Sequence, residues 1–139
     1  MIDLLQAKTL LEAANKDLTA LNGMLNAKQF TDEIFGFHVQ QATEKSLKAW
    51  LAALGEVYPY THDLALLLRK LEARNCNISK YIVFVEYTAF AGQVRYVGLD
   101  DDVSPIDRQE TIAQVQELYE KVGTIAQSSE EAKSERESE

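Results

Sequence analysis

The chain has 139 residues, 46% of them hydrophobic, and a formal net charge of −8 with a pI near 4.8. That length suits one domain with a real core, and the acidic balance opposes unaided binding to a DNA or RNA backbone, which calls for a basic face that displaces counterions. Cys76 stands alone, so no intrachain disulfide can form. With no leader-like N-terminus and no apolar run near the about 20 residues of a membrane span, the chain reads as a cytoplasmic protein without a membrane segment.

Leu4, Ala7, Leu11, Ala14, Leu18 and Leu21 recur at three and four residues, which predicts an amphipathic first helix. Asn22-Gly23 would end it, unless Met24, Leu25 and Ala27 prolong it by a turn. A second helix is predicted from Thr31, as hydroxyl cap ahead of Asp32 and Glu33, to Leu54, with Gly55 as its stop. The segment from Glu56 to Tyr60 holds Pro59 and reads as a short connection. Thr61 then caps a third helix with Leu64, Leu67, Leu68 and Leu71 as its stripe, ended by Asn75-Cys76-Asn77.

Residues from Ile78 to Val94 include Tyr81-Ile82-Val83-Phe84-Val85, which has the β-branched and aromatic richness of a strand. A lone strand would have nothing to pair with, and Ile78, Ile82, Val85, Ala89 and Gly92 fit helical spacing, so this segment is predicted as a helix. Gly98 to Val103 is an acidic loop. Ser104-Pro105-Ile106-Asp107 reads as the start of a last helix, to about Gln127, with Ile112, Val115, Tyr119, Val122 and Ala126 on one face. From Ser128 onward only Ser, Glu, Ala, Lys and Arg occur, a composition that buries little and predicts a disordered acidic tail.

The expected fold is therefore all-α: a mainly antiparallel up-and-down bundle of about five helices over residues 1–127, followed by a tail over 128–139. Phe35, Val39, Ala42, Trp50, Leu67, Val85 and Val122 are the expected core. More apolar faces exist than a small bundle easily hides, which predicts a homodimer.

On the second helix, at about 100° per residue, Phe35, Val39, Ala42, Ala49, Trp50 and Ala53 share one broad arc. His38, Gln41, Glu44, Lys45 and Lys48 fall on a narrower arc opposite. Two readings of this polar ribbon stand side by side. His38, Lys45 and Lys48 can form an anion or nucleotide subsite, or the ribbon is a solvated or interface stripe with Glu44 and Lys48 as an i,i+4 pair. His62-Asp63 offers an imidazole beside a carboxylate, yet capping accounts for Thr61 and Asp63. Metal binding is not expected: His38, His62 and Cys76 lack zinc-type spacing, and Asp100-Asp101-Asp102 lacks the pattern of a calcium loop. There is no P-loop, nucleophile elbow or Gly-x-Gly.

The residues Phe37-His38-x-Gln40-Gln41-x-x-Glu44-Lys45-x-Leu47-Lys48, with Thr61-His62-Asp63-Leu64 and Arg95-Tyr96, resemble the HEPN domains (higher eukaryote and prokaryote nucleotide-binding). These are small prokaryotic helical proteins often encoded beside a minimal nucleotidyltransferase, and the likeness spans roughly residues 3 to 126. It implies a dimeric helical bundle, a nucleotidyltransferase partner in a toxin–antitoxin-like pair, and a nucleotide held by His38, Gln41, Lys45, Lys48 and Arg95. Toxin-type HEPN proteins carry a ribonuclease motif, an Arg followed a few residues later by His. Here no His follows position 62, so Arg69, Arg74, Arg95 and Arg108 all fail the test. Arg95-Tyr96 is similar to the non-toxin branch, with Val97 where Pro commonly follows. The resemblance thus implies a non-catalytic interaction module without cofactor or DNA partner. Its alternative is a ribonuclease toxin with a displaced site built from His62, Arg95 and His38, the one reading that brings RNA as a partner.

Overall fold

The computed structural model describes residues 2–91 and 105–138. Arg95, Tyr96, the acidic loop over 98–103 and Ser104 lie outside the described residues. Among the described residues there are four α-helices and one 3-10 helix: α1 Leu4–Met24, α2 Asp32–Ala53, α3 Leu64–Ala73, the 3-10 helix Ser79–Ala91, and α4 Arg108–Ser138. This is the all-α bundle expected from the periodicities.

The helix ends follow local chemistry. Asp3 and Thr31 accept the Gln6 and Ile34 amides and cap α1 and α2. Gly55, at φ 84°, and Asn75, at φ 65°, take the left-handed turn that ends α2 and α3. Two expected caps are displaced. Asp63, not Thr61, caps α3 by accepting from Ala65 and Leu66. At the start of α4, Asp107 accepts the Glu110 amide and the helix opens at Arg108 rather than Pro105.

Hydrogen bonds fix the relative directions. Asp3 N–H donates to the Ala52 carbonyl at 2.9 Å, so α1 starts where α2 ends. The Arg108 guanidinium donates to the Met24, Ala27 and Phe30 carbonyls and to Asp32, which sets the start of α4 beside the end of α1 and the start of α2. Lys8 meets Glu130 at the other end. Helix α1 is therefore antiparallel to α2 and to α4. The 3-10 helix also runs antiparallel to α2, because Tyr81 lies edge-on to Trp50, with ring centroids 5.9 Å apart, while Phe90 lies against Gly36.

Helix α2 is the hub, packed by all four other elements. Phe35, Val39, Ala42, Trp50, Leu67 and Val122 are buried as expected. Val85 is not: the 3-10 helix buries Tyr81, Phe84, Tyr87 and Phe90, every third residue, because 3.0 residues per turn eclipse positions i and i+3. The face predicted at α-helical spacing is accordingly wrong, and Ile82 is 55% exposed. On α4, Leu118 is buried and Tyr119 only partly so. Where a disordered tail was expected from Ser128, α4 continues as helix to Ser138. Past Ala126 no described side chain is buried, so this stretch adds nothing to the core, and it is made of helix formers such as Glu, Ala, Lys and Arg with no Gly or Pro to break it. No helix among the described residues is long and apolar enough to cross a membrane.

Candidate functional site

The polar ribbon of α2 is buried at Glu44 and Lys48 and partly exposed at His38, Gln41 and Lys45. It lies in a seam between α1 and the connection that leads into α3, and each flank of the seam is organised by one carboxylate.

On the α1 side, Asp17 is buried and accepts from His38 Nδ1 at 2.9 Å and from Lys45 Nζ at 2.7 Å. An ionised carboxylate can only accept, so Nδ1 carries the proton and Nε2 is left as the open nitrogen. On the other side Glu44, 6% exposed, accepts from Gln40 Nε2 at 2.9 Å, Lys48 Nζ at 3.0 Å and His62 Nδ1 at 2.7 Å. Gln40 also donates to the His62 carbonyl, and Gln41 donates to Gln40 Oε1 at 2.7 Å. Buried polar atoms need such partners, since each unpaired one carries its full desolvation cost. Burial pushes the Glu44 carboxyl up, but the hydrogen bonds from Gln40, His62 and Lys48 outweigh it and hold the group below the ordinary carboxylate value.

Aromatic rings close the Glu44 side. Lys48 Nζ lies 5.7 Å from the Tyr58 ring centroid and 5.9 Å from that of Tyr60, within cation–π range. Gln6 of α1 donates to the Tyr58 hydroxyl at 2.6 Å, anchoring the connection over the end of α2.

The sequence-predicted residues therefore divide. His38, Gln41, Lys45, Lys48 and His62 all join the seam; Arg95 lies outside the described residues. The reading of Glu44 and Lys48 as an i,i+4 pair holds, but both are buried, which corrects the picture of an exposed stripe. Asp63 does not orient His62; Glu44 does. Sequence reasoning missed Asp17, Gln40, Tyr58 and Tyr60. For Asp17 a signal existed: it stands three residues after Ala14 and four before Leu21, at the edge of an apolar stripe, where a carboxylate has to find a cation. Cys76 gains no nucleophilic character, since burial pushes its thiol up. Among the described residues no three His, Cys, Asp or Glu side chains converge as a metal set.

Chemically, the seam offers two oriented imidazoles and two ammonium groups backed by two carboxylates. With both imidazoles neutral, two positive charges balance two negative, so the seam is net neutral within a chain of net −8. It is thus a locally non-acidic strip that can receive an anion.

No curated protein and no solved structure matches the chain. The family model described as HEPN domain matches residues 7–131, which takes in α1, α2, the whole seam and most of α4. The chain belongs to the HEPN domain family.

Proposed function

We propose that this HEPN chain is a non-catalytic interaction and nucleotide-binding module, with the phosphates of the ligand lying along the α2 seam and a minimal nucleotidyltransferase as its protein partner in a toxin–antitoxin-like pair. The observation that carries the ligand reading is that Asp17 holds His38 and Lys45 together at the partly exposed edge of the seam. The carboxylate does not exhaust these donors. An ammonium group has three N–H donors, of which Lys45 gives one to Asp17, whereas His38 Nε2 is an acceptor in the neutral ring and a donor only in the protonated one. The pairing pre-sets both side chains, so less rotamer freedom is lost when an anion binds. The same reading includes Arg95 in the ligand set, as the family resemblance implies.

Equilibrium titration with ATP at low salt tests this. Binding is expected to be weak and to fall with added salt. Lys45→Ala should weaken it by about 1 to 3 kcal/mol, the range of hydrogen bonds to charged groups, and His38→Ala should weaken it as well. Unchanged binding in both variants would leave the seam a structural ion network. The partner reading is tested by co-purification from the native cells. Self-association is tested by sedimentation at micromolar concentration, where a dimer is expected; its face is drawn from the outward side of the 3-10 helix, where Ile82 and Val83 are exposed.

One observation favours a second reading, metal-independent RNA cleavage. His38 and His62 each have Nδ1 held by a carboxylate, the orientation that turns Nε2 outward as the nitrogen of a general acid or base. Cleavage by the pure protein, abolished by His62→Ala, would establish this reading in place of the first.

A further inference from the structure

Tyr60 is the most exposed large hydrophobic side chain among the described residues, at 104% of its reference area. Single exposed aromatics are ordinary on protein surfaces; the surroundings of this one are not. Its segment is held on both sides. Tyr58 is tied to α1 by Gln6 at 2.6 Å, and His62 is tied to α2 twice, by its Nδ1 on Glu44 at 2.7 Å and by Gln40 on its carbonyl at 3.2 Å. Pro59, just before Tyr60, has a fixed φ. Lys48 Nζ lies over the Tyr60 ring at 5.9 Å, so an ammonium group backs the ring while the remainder stays open to water.

An exposed aromatic ring on an anchored segment, beside a cation and adjoining the proposed anion-binding strip, is an arrangement that can take a planar base by stacking. Lys45 precedes Lys48 by three residues, about 4.5 Å of rise along α2, so the Asp17-held Lys45 and the Lys48 beside the ring lie within one turn of the same helix. The side chain of His62, 62% exposed, adds a hydrogen-bonding nitrogen beside it. We propose that Tyr60 is a nucleobase-stacking platform, and that the seam's ligand is a free nucleotide with its base on Tyr60 and its phosphates toward Lys45 and His38. This rests on the anion-binding reading of the seam and names the ligand class for it. The net charge of −8 argues for a free nucleotide over a nucleic-acid strand, whose successive phosphates would be repelled beyond the seam.

The test titrates the full chain at low salt with ATP, inorganic tripolyphosphate and a single-stranded oligoadenylate, in the wild type and in Tyr60→Ala, Tyr60→Phe and Lys45→Ala. A side chain this exposed contributes little to stability, so Tyr60→Ala should melt with the wild type. ATP is expected to bind about 10-fold more tightly than tripolyphosphate, a stacking-sized advantage. Tyr60→Ala should erase that advantage without touching tripolyphosphate, Tyr60→Phe should keep it, and Lys45→Ala should weaken both ligands together. Equal affinity for ATP and tripolyphosphate in the wild type, or ATP binding indifferent to Tyr60→Ala, overturns the base platform and leaves the anion seam standing. Binding of neither ligand overturns both. An oligoadenylate that binds more tightly than ATP overturns the free-nucleotide assignment.

Discussion

Helix α1 and the 3-10 helix both run antiparallel to α2, yet they grip it in different ways. Along α1 the buried apolar residues are Ala7, Leu11, Ala14, Leu18, Leu21 and Met24, spaced at three and four, none of them aromatic, and flanked by the buried carboxylate of Asp17. The 3-10 helix presents Tyr81, Phe84, Tyr87 and Phe90, one ring at every third residue and no ionic bridge to α2. In an α-helix each step of three would turn the side chain back by about 60°, and by Phe90 the ring would point half a turn away from Tyr81. The 3-10 winding keeps all four rings in line, and its rise of about 2.0 Å per residue stretches thirteen residues over about 26 Å of α2. One side of α2 thus gains directional polar contacts that fix a site, while the other gains aromatic area that fixes the core.

The largest effects should come from the aromatic side. Phe84→Ala and Trp50→Ala should each cost about 3 to 5 kcal/mol in denaturant melts, because Phe84 is fully buried and Trp50 nearly so against Tyr81. Ile82→Ala, two places from Phe84, should cost under about 0.5 kcal/mol as a surface change. Comparable losses at Ile82 and Phe84 would show an α-helical rather than a threefold register.

Gly36→Ala probes how closely the same side packs. A Cβ at Gly36 would fall 2.6 Å from the Phe90 ring, closer than the ring can tolerate without moving. The gain in helix propensity from Gly to Ala, about 1 kcal/mol, competes with an overpacking cost of about 1 to 3 kcal/mol, and the expected result is net loss. Gly23→Ala on α1, where a Cβ would meet nothing, is the control and should be neutral or stabilising.

The contrast between the two sides also explains what could be read from the sequence. The core arc of α2, the stripe of α3 and the face of α1 are periodic at 3.6, and the structure buries them where that period puts them. The 3-10 segment carries a period of three, which an α-helical template reads as a different face, so Ile82 and Val85 were put inward in place of Tyr81 and Phe84. The seam was half legible. His38, Gln41, Lys45 and Lys48 share one face of one helix, and local spacing shows that. Asp17 and His62 reach the seam from elements 21 and 18 residues away from their partners, and only tertiary packing sets such pairings.

The polar side should respond to acid through Glu44. Glu44 is held below its ordinary carboxylate value, 4.5, by the bonds from Gln40, His62 and Lys48. Between that folded value and 4.5 the unfolded chain binds more protons at this site than the folded one, so stability rises with pH across the window. The contribution is complete above about 4.5 and is lost as pH falls through the folded value. Glu44→Gln keeps the volume and removes the charge. It should cost about 1 to 3 kcal/mol near pH 7, with a smaller penalty as the wild type itself is acidified below 4.5. A penalty constant from pH 7 to pH 3 would place the effect in packing rather than in ionisation.

The smallest effect expected is also the one whose sign is most informative. Thr43 Oγ1 and Ser46 Oγ are buried without a hydrogen-bond partner, an uncommon condition for hydroxyls inside a helix, which usually return a bond to the carbonyl a turn earlier. By the 100° step of α2, Thr43 lies between Gly36 and Trp50, the two residues that meet the 3-10 helix. It therefore belongs to the aromatic side, and nothing there accepts its proton. Replacing a buried unsatisfied hydroxyl with an apolar group of the same shape removes a desolvation cost without opening a cavity, so Thr43→Val should be neutral or stabilising by up to about 1 kcal/mol. The branched side chain is kept, and the ring packing with it. A loss above about 1 kcal/mol would mean that the hydroxyl is bonded in solution. The aromatic side of α2 would then carry a polar contact of its own, and the division between a site-forming face and a core-forming face would fail at that residue.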